Sequence, residues 1–137
     1  MKKIYSLINP KVLLVELFNI ENLNDKTYHS GTEKEILQVS AFKFNMGDNI
    51  LPHHHLPVCR TLIGTQESII VWSGAIEAFV YDLNFSLLTQ LNLVEGDCIT
   101  LYRGGHAYIV KENNTKILEF KNGPYYGKEH DSQSIDW

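Results

Sequence analysis

The residues best equipped for chemistry in this chain are three imidazoles in a row, His53, His54 and His55, which make up half of its six histidines. On a strand, successive side chains point to opposite faces, so His53 and His55 project together while His54 faces solvent or a second subunit. Two converging imidazoles inside a small protein are costly to bury in the charged form. They resolve as neutral rings that share either a divalent metal ion or hydrogen-bond partners. Arg60, close behind, offers a rigid guanidinium fork suited to a substrate's carboxylate or phosphate, or equally to a structural ion pair. Tyr81, Tyr102, Tyr125 and Lys121 either line the open end of the fold, where amphipathic rings bind sugars and other small polar molecules, or serve in packing.

These groups need strands to position them. From about residue 34 onward, short runs rich in Val, Ile, Phe and Tyr alternate with turn signals. The pattern predicts strands at Glu35 to Phe44, Ile50 to His55, Glu67 to Trp72, Ala75 to Leu83, Leu87 to Val94, Cys98 to Tyr102, His106 to Lys111 and Thr115 to Lys121. Turns are predicted at Met46-Gly47-Asp48-Asn49, Ser73-Gly74, Asp82 to Phe85, Glu95-Gly96-Asp97, Gly104-Gly105 and Asn113-Asn114. Eight short strands within about 90 residues suggest a small barrel or jelly roll. The first 30 residues stay open: Asn9 and Pro10 could start a helix, yet Val12-Leu13-Leu14-Val15 is equally good strand material. That apolar segment must pack on something, either the rest of the fold or a second copy. After Tyr126 the chain is polar and reads as a loosely held tail as far as Ile135 and Trp137.

At 137 residues the chain is one domain's worth, with 44% hydrophobic residues to fill a core. We divide it into a barrel at about residues 35–121, an N-terminal extension at 1–34 and a tail at 127–137. A net charge of −4 provides no positive field to gather phosphates, which argues against nucleic acid. The apolar run Val12 to Ile20 is broken by Glu16 and Asn19, too short and too polar for a membrane span. The basic start, Met1-Lys2-Lys3, leads only to Asn9-Pro10-Lys11 and no cleavage site, so no signal peptide is read. Two cysteines, Cys59 and Cys98, make no disulfide framework, although one bridge between them is open; the expected location is cytoplasmic.

Gly47 followed by five residues and His53-His54-His55, Glu67 followed by six residues and Gly74, and Gly96 leading to Gly104-Gly105-His106 resemble the two motifs of the cupin superfamily. The resemblance implies a small double-sheet β-barrel of the jelly-roll type. It also implies one divalent metal ion, Zn, Fe, Mn or Ni, held by three histidines and a glutamate. Carried over by position, His53, His55 and His106 are the imidazole ligands and Glu67 the carboxylate. The chain departs from the pattern in five places, among them a turn before His106 that is one residue short and the absence of the usual asparagine after it. Eleven residues separate His55 from Glu67 where three or four are usual, Arg60 stands where the shorter spacing would put the glutamate, and Tyr102 replaces a proline. If Arg60 replaces the carboxylate, the site is a three-histidine one. A closer similarity, to small bacterial cupin-fold metalloproteins found near surface-polysaccharide genes, runs through Arg60 to Glu67, Gly104-Gly105-His106 and Glu119 to Tyr125.

The function this implies is a metal-binding cupin acting on a small polar molecule, such as a carbohydrate or sugar-nucleotide derivative. The ion would polarise a carbonyl, and a base, Glu67 if unligated or Tyr102, would move a proton in an isomerisation or epimerisation. Arg60, Tyr81, Lys121 and Tyr125 would bind the substrate. The alternatives are an Fe(II)-dependent dioxygenase, a non-catalytic sensor or binding module, and a structural barrel. A homodimer is expected from the apolar N-terminal segment and from the resemblance.

Overall fold

The computed structural model describes residues 1–135; Trp137, at the end of the polar tail, lies outside the described residues. Among the described residues ten strands form: β1 (Lys2–Tyr5), β2 (Leu13–Asn19), β3 (Thr27–His29), β4 (Ser40–Phe42), β5 (Glu67–Ser73), β6 (Ala75–Tyr81), β7 (Leu87–Val94), β8 (Asp97–Leu101), β9 (Gly105–Val110) and β10 (Lys116–Lys121), followed by a short helical turn, α1 (Lys128–Asp131). They build a five-stranded sheet in the order β1-β2-β8-β5-β10, a three-stranded sheet β7-β6-β9 and the separate pair β3-β4. Every pairing is antiparallel. The fold is therefore all-β, with open sheets, none of which closes on itself. No helix among the described residues is long and apolar enough to cross a membrane.

Strand alternation explains the core. Ile69 and Val71 of β5, with Ile99 and Leu101 of β8, turn one face toward Ile76, Ala78 and Val80 of β6 and Leu91 and Leu93 of β7, and all are buried together. The segment left open between helix and strand is strand, since β2 sits inside the large sheet between β1 and β8. Leu13, Leu14, Val15, Glu16 and Phe18 are all buried, because β2 is covered on both faces. A strand buried on both sides loses its alternation, which is why periodicity could not separate it from a helix.

Two expected strands change. Of Glu35 to Phe44 only Ser40–Phe42 pairs, and Ile50 to His55 forms no strand at all, because residues 43–66 contain neither helix nor strand. Pro52 and Pro57 flank the histidines and lack the N–H groups that a ladder needs. Without that strand, no pleat sets His53 and His55 on one face and His54 on the other. The two cysteines are both free, Cys59 exposed and Cys98 buried, and burial pushes the Cys98 thiol up.

The outer face of the large sheet is covered by β3, β4 and their neighbours, with Phe18, Ala41 and Cys98 forming a second small core. Its polar centre is Glu16, only 1% exposed. The carboxylate accepts hydrogen bonds from the Tyr28 hydroxyl, from Gly31 N–H at 2.7 Å and from the Tyr102 hydroxyl at 3.3 Å, and pairs with Lys3 Nζ at 3.3 Å. Burial pushes its pKa up, but the Tyr28 and Gly31 bonds and the Lys3 charge outweigh it and hold the carboxyl below its ordinary range. Asp82 does similar work between the sheets, accepting from Leu7 N–H at 2.8 Å and Leu83 N–H at 2.7 Å. Burial opposes its ionisation, yet the Ser6, Leu83 and Leu7 bonds win and lower its pKa.

Removing Glu16 orphans several buried donors at once, so Glu16→Ala is expected to lose roughly 3–5 kcal/mol in chemical denaturation, with Glu16→Gln losing less. A carboxylate with a lowered folded pKa stabilises fully above its unfolded value of about 4 and loses that contribution as pH falls through the folded value. The drop in melting temperature below about pH 4 should therefore be shallower in Glu16→Gln and Asp82→Asn than in the wild type.

Candidate functional site

The apolar interior stops short at one end of the two sheets, where charged residues take the inward positions. Glu67 opens β5 on the same face as Ile69 and Val71, and His106, near the start of β9, lies opposite Val80 of β6. The two side chains meet across the gap with His106 Nε2 at 3.1 Å from Glu67 Oε2. Glu67 is 13% exposed at the side chain and His106 33%, so the pair is sheltered but reachable. Lys121 closes β10 directly beside Glu67 in the ladder register. Its ammonium lies 3.7 Å from Glu67 Oε1, 3.5 Å from Asp131 Oδ2 and 3.7 Å from Glu119 Oε1, and 4.3 Å from the centre of the Tyr125 ring.

These contacts set the ionisation of the cluster. The hydrogen bond from His106 is the chief reason that the Glu67 carboxyl titrates low; burial opposes it, and the His106 and Lys121 charges add to it. For Lys121 desolvation works downward, but the Asp131, Glu67 and Glu119 carboxylates overcome it and hold the ammonium above its usual range. Both groups are therefore charged near neutral pH.

The tail supplies one wall, in contrast to the loosely held segment expected up to Ile135. Asp131 in α1 accepts from the Thr65 hydroxyl at 2.8 Å as well as pairing with Lys121. Ile135 sits against Gly105, where an added Cβ would come within 2.2 Å of its Cδ1. Two separate anchors thus hold a stretch in which composition shows only polarity. Between the wall and the sheet ends lies an open pocket of about 950 Å³, lined by Glu67, Tyr81, Phe85 and His106 on one side and by Lys128, Asp131, Ser132, Gln133 and Ser134 on the other.

The structure brings some expected residues together and disperses the rest. Glu67, Tyr81 and His106 line the pocket, and Lys121 and Tyr125 stand beside Glu67. Tyr102 is buried elsewhere with its hydroxyl on Glu16, and burial with the nearby Glu16 charge pushes the phenol up, so it is not placed to serve as a base here. Arg60 lies in the exposed segment 43–64; the arginine that grips a carboxylate is Arg103, bonded to both oxygens of Glu35 at 3.0 and 2.9 Å. His53 and His55 are exposed in the same segment, their rings 5.4 Å apart. Among the described residues no three His, Cys, Asp or Glu side chains are placed to hold a metal ion together. The described arrangement therefore does not assemble the three-histidine, one-glutamate donor set. Asp131, Thr65 and Phe85 were not foreseen, since a helical turn in a polar tail and a hairpin loop carry no spacing signal.

Comparison of the chain with protein-family models, curated proteins and solved structures finds no match.

A carbon-detected titration should place the Glu67 carboxyl midpoint below the ordinary value of about 4.3 and show it rising in His106→Ala. Gly105→Val should displace Ile135 and speed proteolysis within residues 127–135; an unchanged cleavage rate would mean that this anchor does not hold the tail.

Proposed function

We propose that this protein binds a small polyhydroxylated molecule, a carbohydrate derivative, in the Glu67–His106 pocket and shifts a proton on it, in an isomerisation or epimerisation next to a carbonyl. The observation that carries this reading is the 3.1 Å contact between His106 and Glu67 on the pocket's lining. An imidazole that donates Nε2–H to a carboxylate has its tautomer fixed, leaving Nδ1 as the basic atom. Glu67, kept ionised, stabilises the imidazolium that forms when His106 takes a proton, so Glu67 is the positioning group and His106 the base. Carbonyl polarisation would fall to a donor in the pocket, with Lys128 and the Tyr81 hydroxyl as the candidates on its lining.

The choice of substrate class rests on the lining. Carboxylates from Glu67 and Asp131, hydroxyls from Thr65, Ser132 and Ser134 and the Gln133 amide present many acceptors and donors, set beside apolar surface from Tyr81, Phe85, Leu101, Ala107 and Ile135. The volume of about 950 Å³ admits a sugar carrying a further substituent such as a nucleotide. The same open antiparallel sheets, with a Gly-Gly turn delivering a histidine at a strand start, support a cupin-type reading of the fold.

A metal-dependent variant of this chemistry would require the segment 43–66 to carry His53 and His55 to His106. Two measurements separate the readings. A panel of keto sugars and nucleoside-diphosphate keto sugars, incubated with the protein in deuterium oxide, should gain deuterium at the carbon beside the carbonyl. His106→Gln should slow that gain by about 100-fold or more, and Glu67→Gln by a smaller factor. Absence of exchange across the panel would sink proton transfer. Metal analysis of wild type and His53→Ala runs alongside, and one equivalent of metal lost in the variant, together with lost exchange, would replace the base reading by the metal one.

A further inference from the structure

The β6–β7 connection holds a residue whose backbone conformation suits glycine. Phe85 N–H donates to Asp82 O at 2.9 Å and Asp82 N–H to Ser86 O at 2.9 Å. Leu83, Asn84 and Phe85 thus make a three-residue hairpin loop, a turn followed by one left-handed residue, and β6 bulges beside it between Val80 and Tyr81. Phe85 is that left-handed residue, with φ 64°. Glycine is the natural choice there, because any L side chain crowds the following carbonyl. The other non-glycine residue in this region among those described is Asn114, φ 61°, whose short polar side chain tolerates it.

Burial does not compensate for the strain, since Phe85 is 59% exposed. It lies instead on the lining of the pocket, together with Tyr81, Glu67 and His106. A strained backbone, a large exposed ring and a place at a pocket that bears acidic and hydroxyl groups are three separate facts with one common explanation. Strain of this kind clusters at active sites and ligand clamps.

We propose that Phe85 is a specificity residue, an aromatic platform against which the apolar C–H face of a pyranose ring lies while its hydroxyls reach the carboxylates of the pocket. This rests on the carbohydrate reading of the pocket. The electron-rich face of the ring attracts the weakly positive C–H groups of a sugar, and it excludes water from the side that makes no hydrogen bonds. A smaller or aliphatic residue would keep the loop but lose the discrimination between a ring and an open-chain polyol.

The test uses the full chain with methyl β-glucopyranoside, methyl β-galactopyranoside and UDP-glucose as probes. Saturation of the protein's aromatic protons should transfer to the pyranose ring protons of at least one of them. Phe85→Gly should melt at or up to about 5 °C above the wild type, because the strain is relieved, and should bind the probe about 10-fold more weakly or worse. Phe85→Trp should retain binding within about threefold. Wild-type binding in Phe85→Gly, a melting temperature several degrees lower, or no saturation transfer from the wild type to any probe would each overturn the platform. Binding that depends on Phe85 without deuterium exchange would remove the proton-transfer reading and leave the platform standing. Exchange in Phe85→Gly with the wild-type rate and the wild-type dependence on substrate concentration would do the reverse.

Discussion

The contact between Glu67 and His106 governs how the two sheets end. A sandwich interior can be apolar only as far as its layers close over it, and beyond that point inward positions still exist and must be filled by groups that water can reach. In this chain β5 and β9 both continue past the core, and each places a titratable side chain at its last inward position. One carboxylate facing one imidazole across the gap satisfies both. The hydrogen bond from the imidazole, helped by the neighbouring cation on β10, keeps the acid ionised, and the loops and tail need only surround what the strands have already placed.

A second carboxylate organises the opposite side of the large sheet. Glu16 faces outward from β2, where solvent would ordinarily stand, and the covering segment brings Tyr28 and the Gly31 amide to it. Lost hydration is replaced by fixed donors, and a covering with only short strands of its own is pinned in register. The chain thus has two polar centres with different characters. Glu16 is sealed and saturated with bonds, whereas Glu67 and His106 keep part of their surface exposed. Sealing suits a structural role; partial exposure suits binding.

Much of this was legible in the residues, and the failures have identifiable physics. The strands from Glu67 to Lys121 were readable because each has one buried and one freer face or is bounded by Gly, Asn or Asp. Tyr81 and Lys121 could be singled out from type and position, and Glu67 and His106 only through the motif resemblance. The run around His53 misled because imidazoles and neighbouring aliphatics imitate a strand while Pro52 and Pro57 forbid its ladder; the prolines were the stronger signal. Arg60 drew attention by chemistry alone, and its place in an exposed segment depends on tertiary packing that no local spacing encodes. Asp131 and Ile135 were illegible for the same reason, since each matters only through a partner far away in sequence, Thr65 and Gly105.

The tail that walls the pocket belongs to no sheet, and among the described residues it is held by an aspartate and an isoleucine rather than by a ladder. Release of such a segment would disturb no strand pairing, so docking and undocking would form an equilibrium separate from unfolding. A ligand that touches Asp131 or Ser132 binds only the docked population. Its apparent affinity is scaled by that fraction, and its arrival draws the remaining molecules across by mass action. Affinity in this pocket is thereby open to tuning from residues that never meet the ligand, through the fit of one methyl group over one glycine.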